Sequence, residues 1–136
     1  MIAKYNTQIN IDGKNYPIID AEAQKNLVYS QNETDTGKIW IDGKKIYRKV
    51  VNCGYLLNND TKLIKHNIEN IDKIIKTNGF GYQDGGDCMP IPYYYNVPYG
   101  GGSITLYVNK INIGLITYGD RTDIQALVTL EYTKTN

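Results

Sequence analysis

Two Asp-Gly pairs, each set between alternating apolar segments, constrain this chain more than any other feature. Asp42-Gly43 divides Lys38-Ile39-Trp40-Ile41 from residues 44–51, and Asp12-Gly13 divides Ile9-Asn10-Ile11 from residues 16–19. Asp-Gly accepts the positive φ angles of a tight turn whose twist matches that of the flanking strands, so each pair predicts an antiparallel hairpin. Pro17 has no N–H to donate to a ladder and places the returning strand of the first hairpin at an edge, or starts it later. Ile-Asp-Gly-Lys stands at both 11–14 and 41–44. The sequences around the two copies diverge, which favours two similar turns over an internal duplication.

The same grammar continues down the chain. Residues 103–108, 111–118 and 124–132 alternate as strands, with Asn109-Lys110 as a tight turn between the first two. Residues 20–28 predict one or two helical turns with Asp20 as N-cap. Residues 61–76 are ambiguous between helix and strand. They read as a short helical turn near 67–70 followed by a strand from 71 or 72 to 77, with Asn78-Gly79 and Asp84-Gly85-Gly86-Asp87 as breaks. Residues 88–99 carry three of the four prolines and four tyrosines, so this segment predicts an edge strand in part. Residues 100–102 are a glycine break. The fold class expected is all-β: an antiparallel, jelly-roll-like β-sandwich (residues 29–136), preceded by an N-terminal hairpin arm and short connector (residues 1–28), with at most short helical turns. A hairpin of that size cannot bury its own apolar face, so the arm must pack on the domain, a neighbouring subunit or a larger particle.

Length and charge narrow the function classes. A chain of 136 residues buries about two thirds of its extended surface and needs no metal or disulfide to make a core. Fifteen Lys and Arg against fourteen Asp and Glu leave no long-range pull toward nucleic acid or anionic membrane. No stretch approaches the apolar length of a membrane span, and the polar start predicts synthesis without a signal peptide. Cys53 and Cys88 are too widely spaced for a zinc or redox pair and read as two buried thiols, a disulfide being the alternative.

Catalytic chemistry finds little support. His66 is the sole histidine, lies in no nucleophile motif and reads as structural. Residues 100–102 lack the Lys-Ser/Thr partner of a phosphate loop. Asp84 and Asp87 do not have the spacing of a calcium loop. No enzyme activity and no cofactor are expected. The run Lys44-Lys45 to Arg48-Lys49 reads as a solvated strand face, and Trp40 as a packed anchor within its hairpin.

Thirteen tyrosines against one Phe and one Trp are the outstanding compositional bias. Tyrosine favours strands, which is explanation enough for many of them. It also supplies rigid flat anchors with a polar tip, suited to stacking on sugars or proteins. The candidate ligand-binding set is Tyr93, Tyr94, Tyr95 and Tyr99, with Asp84, Asp87 and Asn96 to meet hydroxyl groups.

Three stretches resemble a module of bacteriophage tail-fibre, baseplate and host-recognition proteins, in phages and prophages of Gram-positive bacteria. They are Tyr29-Ser30 through Gly37-Lys38-Ile39-Trp40-Ile41-Asp42-Gly43-Lys44-Lys45-Ile46-Tyr47-Arg48-Lys49, then His66-Asn67-Ile68-Glu69-Asn70-Ile71-Asp72, then Ser103-Ile104-Thr105-Leu106-Tyr107-Val108 with Asp120-Arg121-Thr122 and residues 128–135. The resemblance covers about residues 29–135 and implies a C-terminal module of a phage fibre or tail protein. It implies a virion protein that assembles as a homotrimer with other virion proteins and attaches to host cell-surface polysaccharide; the charge balance and the lack of a long apolar run lead to the expectation of no nucleic-acid binding and no membrane insertion. A carbohydrate-binding module without structural duty, and a head or tail decoration protein, are the alternatives. The family brings no catalytic residues with it.

Overall fold

The structure is a computed structural model that describes residues 8–17, 28–94 and 102–135. Every regular element in them is a strand. The first hairpin joins β1 (Gln8–Ile11) to β2 (Lys14–Pro17) around Asp12-Gly13, with Pro17 opposite Gln8 at its open end. The helical connector expected over 20–28 lies outside the described residues but for Val28.

Eight further strands follow: β3 (Thr34–Ile39), β4 (Lys45–Tyr55), β5 (Thr61–Lys65), β6 (Ile71–Gln83), β7 (Cys88–Ile91), β8 (Ile104–Val108), β9 (Asn112–Thr117) and β10 (Ile124–Lys134). They divide five and three. One antiparallel sheet has the order β3-β4-β10-β6-β7, the other β5-β9-β8. The two pack face to face as a sandwich. The central strand β10 buries alternate residues Ile124, Ala126, Val128, Leu130 and Tyr132, all fully, as period two requires of one core face. Opposite them stand Ile104, Ile113 and Leu115 of the smaller sheet, with Ile64, Leu106 and Val108 packed alongside. At one corner the sheets join: past the end of β7, Tyr93 exchanges both backbone hydrogen bonds with Ile104.

Several expectations need correction. The helical turn near 67–70 is a loop, because Asn67 and Asn70 take left-handed φ angles of 57° and 58° that no right-handed turn contains. His66 fixes this loop. It is fully buried, its Nδ1 accepts the Ile68 N–H at 3.2 Å, and its Nε2 meets the Asn109 carbonyl at 2.9 Å, which is the neutral ring with the proton on Nε2. Asn78-Gly79 is no break: β6 runs straight through it for 13 residues. Trp40 lies in the hairpin turn rather than in the core. Its backbone closes that turn, with its N–H donating to Lys44 and its carbonyl accepting from Gly43. The thiols are neither paired nor both buried, since Cys53 is buried and Cys88 exposed. The run 44–49 is not wholly solvated either: Arg48 is buried, its guanidinium 4.0 Å from the Tyr29 ring centre.

A candidate binding face on the five-stranded sheet

The sequence of β6 contains an inversion. In Gly79-Phe80-Gly81-Tyr82 the glycines face the core and the aromatics face solvent. The reason is steric. A Cβ on Gly79 would lie 2.9 Å from the Ile91 Cβ and 3.1 Å from the Ile91 carbonyl oxygen, and one on Gly81 would lie 2.8 Å from a methyl of Ile124. The core face of β6 is so close to its neighbours that only glycine fits, and the side-chain mass of the strand goes outward.

Residues paired directly across antiparallel strands share a face. Gln125 pairs with Tyr55 on one side and Tyr82 on the other, and Tyr82 pairs with Cys88. One outer row across four strands therefore reads Tyr55, Gln125, Tyr82, Cys88. The next row reads Asn52, Leu127, Phe80, Pro90 by the same pairings. Tyr55, Phe80 and Tyr82 keep 46%, 44% and 49% of their surface in solvent, so three rings lie open on one sheet face. Polar groups among them are fixed. The Gln125 carboxamide donates to the Tyr55 hydroxyl at 2.9 Å, which in turn donates to Asp84 at 3.2 Å. Nearby, Gln83 donates to Asp123 at 2.8 Å. Among the described residues, this end carries Asp84, Asp87 and Asp123 at the β6–β7 turn and the residue before β10, against one ammonium, that of Lys62, which donates to the Tyr55 carbonyl at 2.6 Å.

At the other end of the same face the pattern changes. Arg48, Glu131 and Lys76 form a charged row, and Tyr29 covers Arg48. The row of Tyr55, Phe80 and Tyr82 lies at the end where β4 finishes and β10 begins, while at the other end Tyr29, itself largely exposed, lies over Arg48.

The residues expected to bind ligand are divided by this arrangement. Asp84 belongs to the aromatic face through its bond to Tyr55, and Asp87 sits in the adjoining turn, where its carbonyl accepts the Gln83 N–H at 2.8 Å. Tyr93 and Tyr94 lie beyond the far end of β7. Tyr93 is half-buried at the corner between the sheets with the Arg121 guanidinium 5.7 Å from its ring centre, while Tyr94 is 74% exposed. Tyr94 stands seven positions after Asp87, an extended reach of up to roughly 23 Å. Tyr95, Asn96 and Tyr99 lie outside the described residues. Tyr55, Phe80, Tyr82 and Gln125 escaped the sequence reading. The signal that would have found them is the Gly-aromatic-Gly-aromatic alternation of residues 79–82.

Among its described residues this face carries the Asp84 carboxylate and no histidine. His66 is buried elsewhere, with both ring nitrogens engaged. Among the described residues no three His, Cys, Asp or Glu side chains converge as metal ligands. Burial pushes the Cys53 thiol up to about 11, against a small opposing pull from Lys62, so this thiol stays protonated at neutral pH. Comparison with protein-family models, curated proteins and solved structures finds no match.

Proposed function

We propose that this chain is a non-enzymatic attachment module that holds a neutral carbohydrate on the outer face of its larger sheet. The observation that carries the reading is the open row Tyr55–Gln125–Tyr82 with Phe80 beside it. Flat rings stack on the apolar faces of pyranoses, and amide, phenol and carboxylate groups already fixed in position meet the hydroxyls without first having to be ordered. The acidic surroundings favour a neutral sugar over an anionic one. The resemblance of residues 29–135 to phage tail modules supplies the setting. The carbohydrate is then bacterial cell-surface polysaccharide, the particle a phage virion, and the assembly a homotrimer. Exposed Ile39 and Ile41 at the β3–β4 hairpin tip, 60% and 91% accessible, support a subunit contact there.

Titration calorimetry against purified cell-wall polysaccharides tests the sugar site. The parent protein and Tyr94→Ala are expected to bind alike, and Tyr82→Ala to bind at least about tenfold more weakly. No heat with any polysaccharide, or equal binding by Tyr82→Ala, contradicts the site. Light scattering tests the assembly, with a mass three times the 15.4 kDa of one chain expected. A monomer at all concentrations contradicts the trimer.

A further inference from the structure

A concavity lies at the opposite end of β4 from the aromatic face. It is an open cleft of about 450 Å³ between the β3–β4 turn and the end of β10, within the usual size of small-molecule sites. It is lined by Lys44, Lys45, Lys134, Tyr47, Asn70 and Thr135, and by no Asp or Glu. We propose that this cleft binds a single oxyanion, a phosphate or carboxylate group carried on a sugar-sized ligand.

The lining is rich in donors, and each of its lysines is held by an ion pair. Asp72 lies 2.6 Å from the Lys44 Nζ, Asp35 lies 3.5 Å from Lys45, and Glu33 lies 2.6 Å from Lys134, and none of these three residues lines the cleft. Each ammonium has three N–H groups, so one ion pair leaves donors for a ligand. Glu33 is itself anchored by the Tyr132 hydroxyl at 2.6 Å, and Lys134 also lies 5.3 Å from the Tyr47 ring centre. The floor is tied down where the Asn70 carbonyl accepts the Thr135 N–H at 2.8 Å and its hydroxyl at 3.3 Å. The hydrogen bond between Lys44 and Asp72 raises the lysine and lowers the aspartate from their ordinary values, which keeps that pair ionised across the neutral range. Because each cation has a carboxylate partner, the cleft lacks the excess charge that would draw a polyanion from a distance. What remains is short-range recognition of one anionic group, with Tyr47 and Asn70 left to contact the polar body that bears it.

The site is independent of the aromatic face and survives the failure of the carbohydrate reading made above. The test is a backbone amide NMR titration of the intact chain with glucose 1-phosphate, glucuronate, inorganic phosphate, neutral glucose, and sodium chloride at matched ionic strength. Glucose 1-phosphate or glucuronate is expected to give saturable shifts confined to Gly43, Lys44, Asn70 and Thr135, with a dissociation constant in the low millimolar range. Glucose and chloride are expected to give none there. Which of the two sugars binds identifies the anion as phosphate or carboxylate. Lys45→Gln and Lys134→Gln are each expected to weaken binding about three- to tenfold. Lys45 is the safer variant for folding, because its side chain is 63% exposed and its ion pair is the longest of the three. Shifts that fail to saturate, that chloride reproduces, or that persist unchanged in Lys45→Gln with a native spectrum overturn the proposal.

Discussion

The two faces of the larger sheet are built from the same strands and obey opposite rules. On the core face, β10 presents Ile124, Ala126, Val128, Leu130 and Tyr132, and β6 yields to them with Gly79 and Gly81. On the outer face, the intervening positions of β6 are Phe80 and Tyr82, left in water beside Tyr55. Burial explains the first set fully. It accounts for the second only in part, because Phe80, Tyr82 and Tyr55 keep 44%, 49% and 46% of their surface in solvent. Their row beside the fixed groups of Gln125 and Asp84 is the observation on which the proposed contact surface rests.

That contrast can be broken most sharply with one residue type on one strand. Leu130 is fully buried on the core face and Leu127 half-exposed on the outer face. Leu130→Ala is expected to lower the unfolding free energy by about 2–5 kcal/mol, and Leu127→Ala by under about 1 kcal/mol, in urea melts. Equal losses would mean that both faces are packed alike. Next in size are the glycines. Gly79→Ala and Gly81→Ala are each expected to cost about 1–3 kcal/mol, because the new methyl meets Ile91 or Ile124 with no space to move into. A neutral result at both would show that the inversion in β6 has another cause.

The cysteines sharpen the comparison, since one lies on each face. The folded-state value of Cys53, raised from 9.0 to about 11, means that the unfolded chain gives up its proton first as pH rises. The contribution is present in full below about pH 9 and is lost between about 9 and 11, by up to about 3 kcal/mol. Cys53→Ala should flatten that alkaline loss, whereas Cys88→Ala should leave it intact. The smallest stability effects are expected on the outer face. Tyr55→Phe deletes the hydroxyl that links Gln125 to Asp84 and should change stability by under about 1 kcal/mol in the same melts. The same change should weaken sugar binding, because it releases both polar groups from their fixed positions.

Much of the fold was legible because its turns are local. Asp12-Gly13, Asp42-Gly43, Asn109-Lys110 and residues 84–87 each turn the chain where their residue types require, and the all-β class follows from them. The prolines of residues 88–92 correctly placed β7 at an edge. What misled were residues whose conformation is set by distant partners. Asn78-Gly79 has the composition of a turn but is held extended by β10 on one side and β7 on the other. The 66–70 loop is shaped by the His66 ring reaching Asn109, 43 positions away. The candidate site was half legible for the same reason. Asp84 was recognisable from its glycine-rich turn, but its partners Tyr55 and Gln125 come from two other strands, and only the sheet register brings the three together. The cluster at residues 93–99 stood out because its tyrosines are contiguous, whereas the row that forms the open face is assembled across strands.

Cys88 offers the most direct test of the central claim, because it ends the row that begins at Tyr55 and its thiol is exposed. Its alkylation rate in the native protein should be measured with and without a saturating cell-wall polysaccharide, using Cys53→Ala so that one thiol remains. Binding on the aromatic face predicts that the bound polysaccharide slows the reaction several-fold and that Tyr82→Ala abolishes the protection. Polysaccharide that binds the protein and leaves the Cys88 rate unchanged would place the ligand elsewhere and contradict the account.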